Sequence, residues 1–233
     1  ADGSRRHIAA LRTDAVAPYV TLSNEVPAVD ATTSLTGVID TPRAIVAVDV
    51  SGDAIDDLIV LDESGSHLAF LINDGGGTFD LLPMTTTTVS IPTFMAVGDV
   101  DADGNQELIV IAHDLGQVQR FELVGSCTTG ADCVTVGDTI DIGGDPDKVR
   151  LGDVDGDGDL DAVITDLAFN RLRVVFTEGA GFADDPAPVS IDFPVGSTTP
   201  RDLALVDLNS DGRLDVVTCN FNSDNITPFL YTP

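Results

Sequence analysis

The densest chemistry in the chain sits in one nonapeptide, Asp153-Val154-Asp155-Gly156-Asp157-Gly158-Asp159-Leu160-Asp161. Carboxylates at its first, third, fifth and ninth positions (Asp153, Asp155, Asp157 and Asp161) can converge on one cation. The backbone carbonyl of the seventh residue, Asp159, supplies a further oxygen. Glycine at the sixth position, Gly158, lets the chain turn through a conformation that is costly for residues with a Cβ. Hard oxygen ligands on a flexible loop select Ca²⁺, because Mg²⁺ demands a tighter octahedron and keeps its waters.

The same spacing recurs three more times. Asp99, Asp101, Asp103 and Glu107 keep four carboxylates, with Gly104 at the turn and the Asn105 carbonyl at the seventh position. Asp207, Asn209, Asp211 and Asp215 keep three carboxylates and an amide oxygen, with Gly212 and the Arg213 carbonyl. Asp49, Ser51, Asp53 and Asp57, with the Ile55 carbonyl, form the weakest copy, since Ala54 replaces the turn glycine. Lower affinity is expected there. Asp/Gly-rich turns without metal are the alternative; a single copy would leave it open, and four copies in register weigh against it. Three to four structural Ca²⁺ ions are therefore expected.

Each loop needs elements that hold its ends. The segments 41–49, 91–99, 145–153 and 199–207 align, and their terminal aspartates fall at 49, 99, 153 and 207. Each runs as a short apolar strand into its loop, and a second apolar strand follows, such as Leu58-Ile-Val-Leu61 or Leu108-Ile-Val-Ile111. A polar turn then leads to a third strand, and in three units a Gly-rich turn leads to a Thr/Val-rich fourth. Helical periodicity is absent. Four short strands repeated every ~50 residues are the signature of a β-propeller blade. The expected fold is all-β: one propeller domain over 1–233, with four clear blades at about 41–90, 91–144, 145–198 and 199–233. Residues 1–40 read as a degenerate fifth blade lacking a metal loop. The rival arrangement is four-bladed, with residues 27–38 supplying the fourth strand that the last unit lacks.

The unit Leu151-Gly-Asp-Val-Asp-Gly-Asp-Gly-Asp-Leu-Asp-Ala-Val-Ile164 resembles the FG-GAP/VCBS repeat of the integrin α-subunit propeller and its bacterial relatives. Asn73-Asp-Gly-Gly-Gly-Thr-Phe79 and Glu178-Gly-Ala-Gly-Phe182 are similar to the Gly-rich turn and aromatic that follow the third strand in such repeats. The resemblance spans residues ~41–233. It implies a propeller with Ca²⁺ in the loops joining strands 1 and 2, and extracellular adhesion or ligand binding. The integrin propeller has more blades than this chain can form, and the literal FG…GAP signature is poorly kept, so integrin partners are not carried over.

Composition narrows the function classes. Thirty-nine acidic residues face eleven basic ones, a formal charge of −28, which repels nucleic acid and anionic membranes. A saline habitat would disperse these acids, whereas metal binding clusters them, and here they cluster. No apolar run approaches the ~18 residues of a membrane span. Cys127 and Cys133 bracket a short loop suited to a disulfide in an oxidising compartment, and Cys219 reads as a buried small residue in a strand. The localisation expected is extracellular or cell-surface, with any signal peptide removed. His7, His67 and His113 occupy non-equivalent positions and read as surface or satisfied histidines. No nucleophile elbow, zincin motif or P-loop is present.

The expectation is a non-enzymatic protein-interaction or adhesion module, acting as a monomer or as part of a larger surface protein. A carbohydrate-binding or carbohydrate-active propeller is the alternative, disfavoured by the absence of Trp and only two Tyr. Arg43, Lys148, Arg150 and Arg201 fall near the start of strand 1 in their units and could form a basic collar for an anionic ligand; local ion pairs with Asp147 and Asp202 are the competing reading.

Overall fold

The computed structural model describes residues 8–12, 19–23, 31–35, 37–76, 78–82, 85–86, 89–178, 181–182, 189–192 and 197–231. They are all-β, without an α-helix among the described residues. The chain divides into two compact units, residues 1–88 with 124–134, and residues 89–123 with 135–233.

In the first unit, β1 (Ile8–Arg12), β2 (Tyr19–Ser23) and β3 (Ala31–Ser34) form a three-stranded antiparallel sheet. Ala31–Ser34 therefore pairs with Tyr19–Ser23 and belongs to an amino-terminal sheet of its own. The next sheet runs β4 (Pro42–Val48), β5 (Asp57–Asp62), β6 (His67–Asn73) and β7 (Phe79–Leu81), with β8 (Thr85–Thr86) also on β6. Its core joins Leu58, Val60, Ala69 and Leu71 to Leu35 and Ile39.

The second unit repeats this pattern. One sheet holds β9 (Pro92–Gly98), β10 (Glu107–Ala112), β11 (Gln117–Leu123) and β12 (Val134–Asp141). Another holds β13 (Pro146–Gly152), β14 (Asp161–Asp166), β15 (Arg171–Val175) and, beyond the small β16 (Thr177–Glu178) and β17 (Gly181–Phe182) hairpin, β18 (Val189–Asp192). The last has three strands, β19 (Pro200–Val206), β20 (Asp215–Asn220) and β21 (Asn225–Phe229).

The second strand of a sheet is its anchor. Every residue of β5, β10 and β14 is buried. A strand covered on both faces reads as a continuous apolar run, which is what Leu58–Leu61 and Leu108–Ile111 show. Neighbouring sheets of the second unit then pack on each other. Ile109 and Ile111 meet Val149, Ala162 and Ile164 in one cluster, and Val163 and Leu172 meet Leu203 and Val216 in the next. Gly152, the last residue of β13, makes room for this contact, since a Cβ there would lie 2.7 Å from the Leu205 and Leu214 methyls.

The exit of the second strand is fastened by side chains that the repeat pattern did not single out. Asp62 accepts the Thr41 N–H (2.8 Å) and hydroxyl (2.9 Å). Its counterpart Asp166 accepts the Asp145 and Ala168 N–H groups and both the Arg171 and Arg173 Nε–H groups, all at 3.0–3.1 Å. Burial alone would raise the Asp166 carboxyl, but these bonds hold it below its ordinary range. Cys219 departs from expectation. It is exposed, because the alternation of β20 turns Thr218 and Asn220 inward and no fourth strand flanks this sheet among the described residues.

Removing one partner from a buried ion pair leaves an uncompensated charge. Asp166→Ala removes the carboxylate shared by two backbone amides and by the Arg171 and Arg173 guanidinium groups and should cost about 3–5 kcal/mol in denaturant unfolding; a loss below about 1 kcal/mol would contradict this role.

Candidate metal centres

All four acidic loops join the first strand of a sheet to the second: β4 to β5, β9 to β10, β13 to β14 and β19 to β20. Their backbones share two left-handed positions. At the sixth position Gly104, Gly158 and Gly212 have φ of +93°, +105° and +86°, and Ala54 takes the same left-handed turn at +68°. The fourth position is left-handed as well, at Gly52 (+80°), Ala102 (+54°), Gly156 (+89°) and Ser210 (+64°). The sequence reading recognised only the sixth. The first loop thus keeps the common shape despite lacking its glycine, at the strain cost of an Ala in that region.

The first aspartate organises each loop from inside. Its carboxylate accepts the sixth-position N–H in every copy: Ala54 to Asp49 (2.8 Å), Gly104 to Asp99 (3.1 Å), Gly158 to Asp153 (3.2 Å) and Gly212 to Asp207 (3.0 Å). For Asp49 these loop bonds outweigh burial and lower the carboxyl. The fifth-position aspartates Asp53, Asp103, Asp157 and Asp211 instead accept the seventh-position N–H of Ile55, Asn105, Asp159 and Arg213.

The ninth position is a buried fastening. Asp57 accepts Val50 N–H (3.0 Å) through one oxygen and Asn73 N–H (2.8 Å) through the other. Asp161 does the same with Val154 (3.0 Å) and Thr177 (3.2 Å), and Asp215 with Leu208 (2.8 Å) and Tyr231 (2.7 Å). Each ties its loop to the end of the third strand. Glu107 breaks the pattern: Oε2 accepts Val100 N–H at 2.7 Å, while the buried Oε1 has no hydrogen-bond partner.

Among the described residues, two of the four loops gather three acidic side chains within 4.8 Å: Asp99, Asp101 and Glu107, and Asp153, Asp155 and Asp161. The first, third and ninth carboxylates thus converge, and the fifth lies outside both of these groups. The loops at Asp49, Ser51, Asp53, Asp57 and at Asp207, Asn209, Asp211, Asp215 keep the backbone shape without such a three-carboxylate group. A third acidic group joins Asp101 and Asp103 to Glu122 of β11, a residue outside the repeated loop pattern. These donor sets fit a hard divalent cation, and the buried, unpartnered Glu107 Oε1 fits the position of a ligand awaiting one.

Crowding is visible in the acidities. Burial, reinforced by Asp101 and Glu122, pushes Glu107 up to about 7 against the pull of the Val100 amide and Arg120. Burial, with Asp155 and Asp157 adding to it, pushes Asp161 up to about 6 against the Val154 and Thr177 amides.

The other expected features have plain positions. The Cys127–Cys133 disulfide is formed, and its loop lies on the first metal loop: Cys127 N–H donates to the Val50 carbonyl at 3.1 Å. His113 Nδ1 is hydrogen-bonded to Asp114 at 2.9 Å, and its Nε2 lies 2.6 Å from Asp145 Oδ1 as an ion-pair contact. His7 lies outside the described residues. Arg43 is paired with Glu63, Lys148 and Arg201 with Asp147, and Arg150 with Asp202.

Two outcomes follow. Ala54→Gly relieves the left-handed strain and should stabilise the protein by about 0.5–1 kcal/mol in denaturant unfolding; destabilisation would show that Ala54 is not strained. A carboxyl raised by folding contributes stability that is present below its unfolded value and lost as pH rises through its folded value. In chelator, melting temperature should therefore fall between about pH 4.5 and 7, and Glu107→Gln should flatten that fall. A Glu107→Gln curve parallel to the parent would contradict the burial argument.

The description "FG-GAP-like repeat" matches residues 49–110 and 153–218, more than half of the chain. No curated protein matches the sequence. Among solved structures the chain is similar to a protein from Lactobacillus plantarum, with a TM-score of 0.66 at 14% identity, covering 97% of this chain and 64% of that one. It is also similar to virginiamycin B lyase from Staphylococcus aureus (0.58, 12%, 96% and 66%). A third is the periplasmic gluconolactonase PpgL of Pseudomonas aeruginosa (0.54, 15%, 97% and 66%). The chain thus spans just under two thirds of the length of these structures. At such identities the likeness shows the fold, a β-propeller type. It also corrects the expectation of a non-enzyme: the fold is shared with a lyase and a lactonase, so the missing sequence motifs do not place the chain outside catalysis. The repeated loops, their strands and the matched residues agree, and the chain belongs to the FG-GAP-like repeat family.

Proposed function

We propose that this protein is an extracellular, calcium-stabilised β-propeller that serves as an interaction or adhesion module for a protein or glycan partner. The observation that carries the calcium reading is the convergence of Asp99, Asp101 and Glu107, and of Asp153, Asp155 and Asp161, on loops of one backbone shape. Three to four ions are expected, one per loop, with the Asp49–Asp57 loop weakest. Calcium supplies the positive charge that these carboxylates lack. The chain's own residues do the rest: the first aspartate wraps the loop, and the ninth ties it to the third strand.

The role of calcium is structural in this reading, because the last three loops are hydrogen-bonded to their neighbours. The Val100 carbonyl accepts the Leu160 N–H (3.2 Å) and the Thr177 hydroxyl (3.1 Å) of the following sheet, and Arg213 Nη1 donates to the Asp155 carbonyl (3.1 Å). A disulfide supports an oxidising compartment, and a strongly acidic surface supports a partner that is neither nucleic acid nor an anionic membrane.

A ligand bound only by the folded state stabilises it by about 2.7 kcal/mol at a hundredfold excess over Kd. Calcium should raise the melting temperature, with calorimetry giving three to four sites, and Asp155→Asn should remove one of them. No thermal shift with calcium would sink the reading. Glycan arrays and cell-surface capture, each with and without chelator, would then identify the partner.

A further inference from the structure

A cation of the chain stands beside the second acidic loop. Arg120 of β11 is buried at 6% exposure, and its Nη1 lies 3.5 Å from Asp101 Oδ2 and 3.3 Å from Glu122 Oε2. The register makes the position unusual. Arg120 pairs with Ile109; the matching strand partners are Phe70 opposite Ile59, Val174 opposite Val163 and Pro228 opposite Val217. Three units place an apolar residue where this one places a guanidinium.

Its surroundings explain the exchange. Glu107 and Glu122 stand directly opposite each other on β10 and β11, an arrangement of like charges that is destabilising on a sheet. Asp101 belongs to both acidic groups of this loop, with Asp99 and Glu107 on one side and with Asp103 and Glu122 on the other. Gly137 of β12 accommodates the arginine, since a Cβ there would meet Arg120 Nε at 3.3 Å and its carbonyl oxygen at 3.1 Å.

We propose that Arg120 is a tethered counter-cation of the Asp99–Glu107 loop: it neutralises Asp101 and Glu122 when the loop is empty and competes with the metal for Asp101 when an ion binds. This rests on the calcium reading above and orders the sites within it. By carboxylate count the Asp99–Glu107 and Asp153–Asp161 loops are equals. Arg120 separates them, so that the former tolerates metal loss better and binds Ca²⁺ more weakly. Arg120 is thus an affinity-setting residue, acting through Asp101 without ligating the ion.

The test uses the full chain, with calcium alone as the probe. In an Asp155→Asn background, Arg120→Met should tighten calcium at the Asp99–Glu107 loop by about tenfold, as removal of a unit charge beside a ligand predicts. Arg120→Gln, which keeps a polar side chain without the charge, should tighten calcium in the same direction, which reads the same contact should Arg120→Met fail to fold. Unchanged or opposite affinities, with calcium still bound at the other loops, would overturn the proposal while leaving the calcium reading intact. A second arm needs no calcium. In chelator, Arg120→Met should lower the melting temperature, and adding Asp101→Asn should restore part of it. Strictly additive effects would refute the counter-cation role even if no variant binds calcium, an outcome that would separately end the calcium reading.

Discussion

Concentrated negative charge is the constraint around which this molecule is built. Each repeat brings carboxylates together at the junction of its first two strands, where the chain must also turn sharply and begin its most buried strand. Like charges at this distance repel, and burial makes ionisation harder still. The protein answers with backbone amides. The first aspartate collects N–H groups from its own loop, and the ninth residue reaches from the loop to the third strand. The same atoms that set the fold's register therefore form the acidic pocket.

This dual use explains why sheet and site are hard to separate. Asp57, Asp161 and Asp215 are fully buried at the start of a second strand, where an apolar side chain would serve packing better. Both of their oxygens are hydrogen-bonded, which offsets part of the penalty for burying a polar group. Glu107 is one methylene longer and satisfies one oxygen only. The cost shows in its raised pKa, and the nearby Arg120 shows how a repeat with one irregular member adjusts its neighbours.

Much of this was legible in the sequence. The period of the aspartates at 49, 99, 153 and 207, with apolar runs on either side, fixed the strand–loop–strand unit and its repetition. Carboxylate spacing located the acidic loops, because local geometry depends on residues close in sequence. What stayed hidden depends on partners far away along the chain. Neither the fastening of Asp166 to Asp145 nor the approach of Glu122 to Asp101 follows from local spacing. Cys219 was misjudged for the same reason: a strand-like run does not reveal which of its faces lacks a covering layer. The left-handed fourth position was missed because Ala102 and Ser210 carry no glycine to announce it.

The central claim is that these loops are calcium sites of one design. The most direct measurement is a crystal structure grown with calcium, in which the anomalous signal locates each ion. The account predicts ions in at least the Asp99–Glu107, Asp153–Asp161 and Asp207–Asp215 loops, with carboxylate oxygens at about 2.3–2.6 Å. Loops that remain free of bound ions at saturating calcium, with their amide hydrogen bonds unchanged, would contradict it.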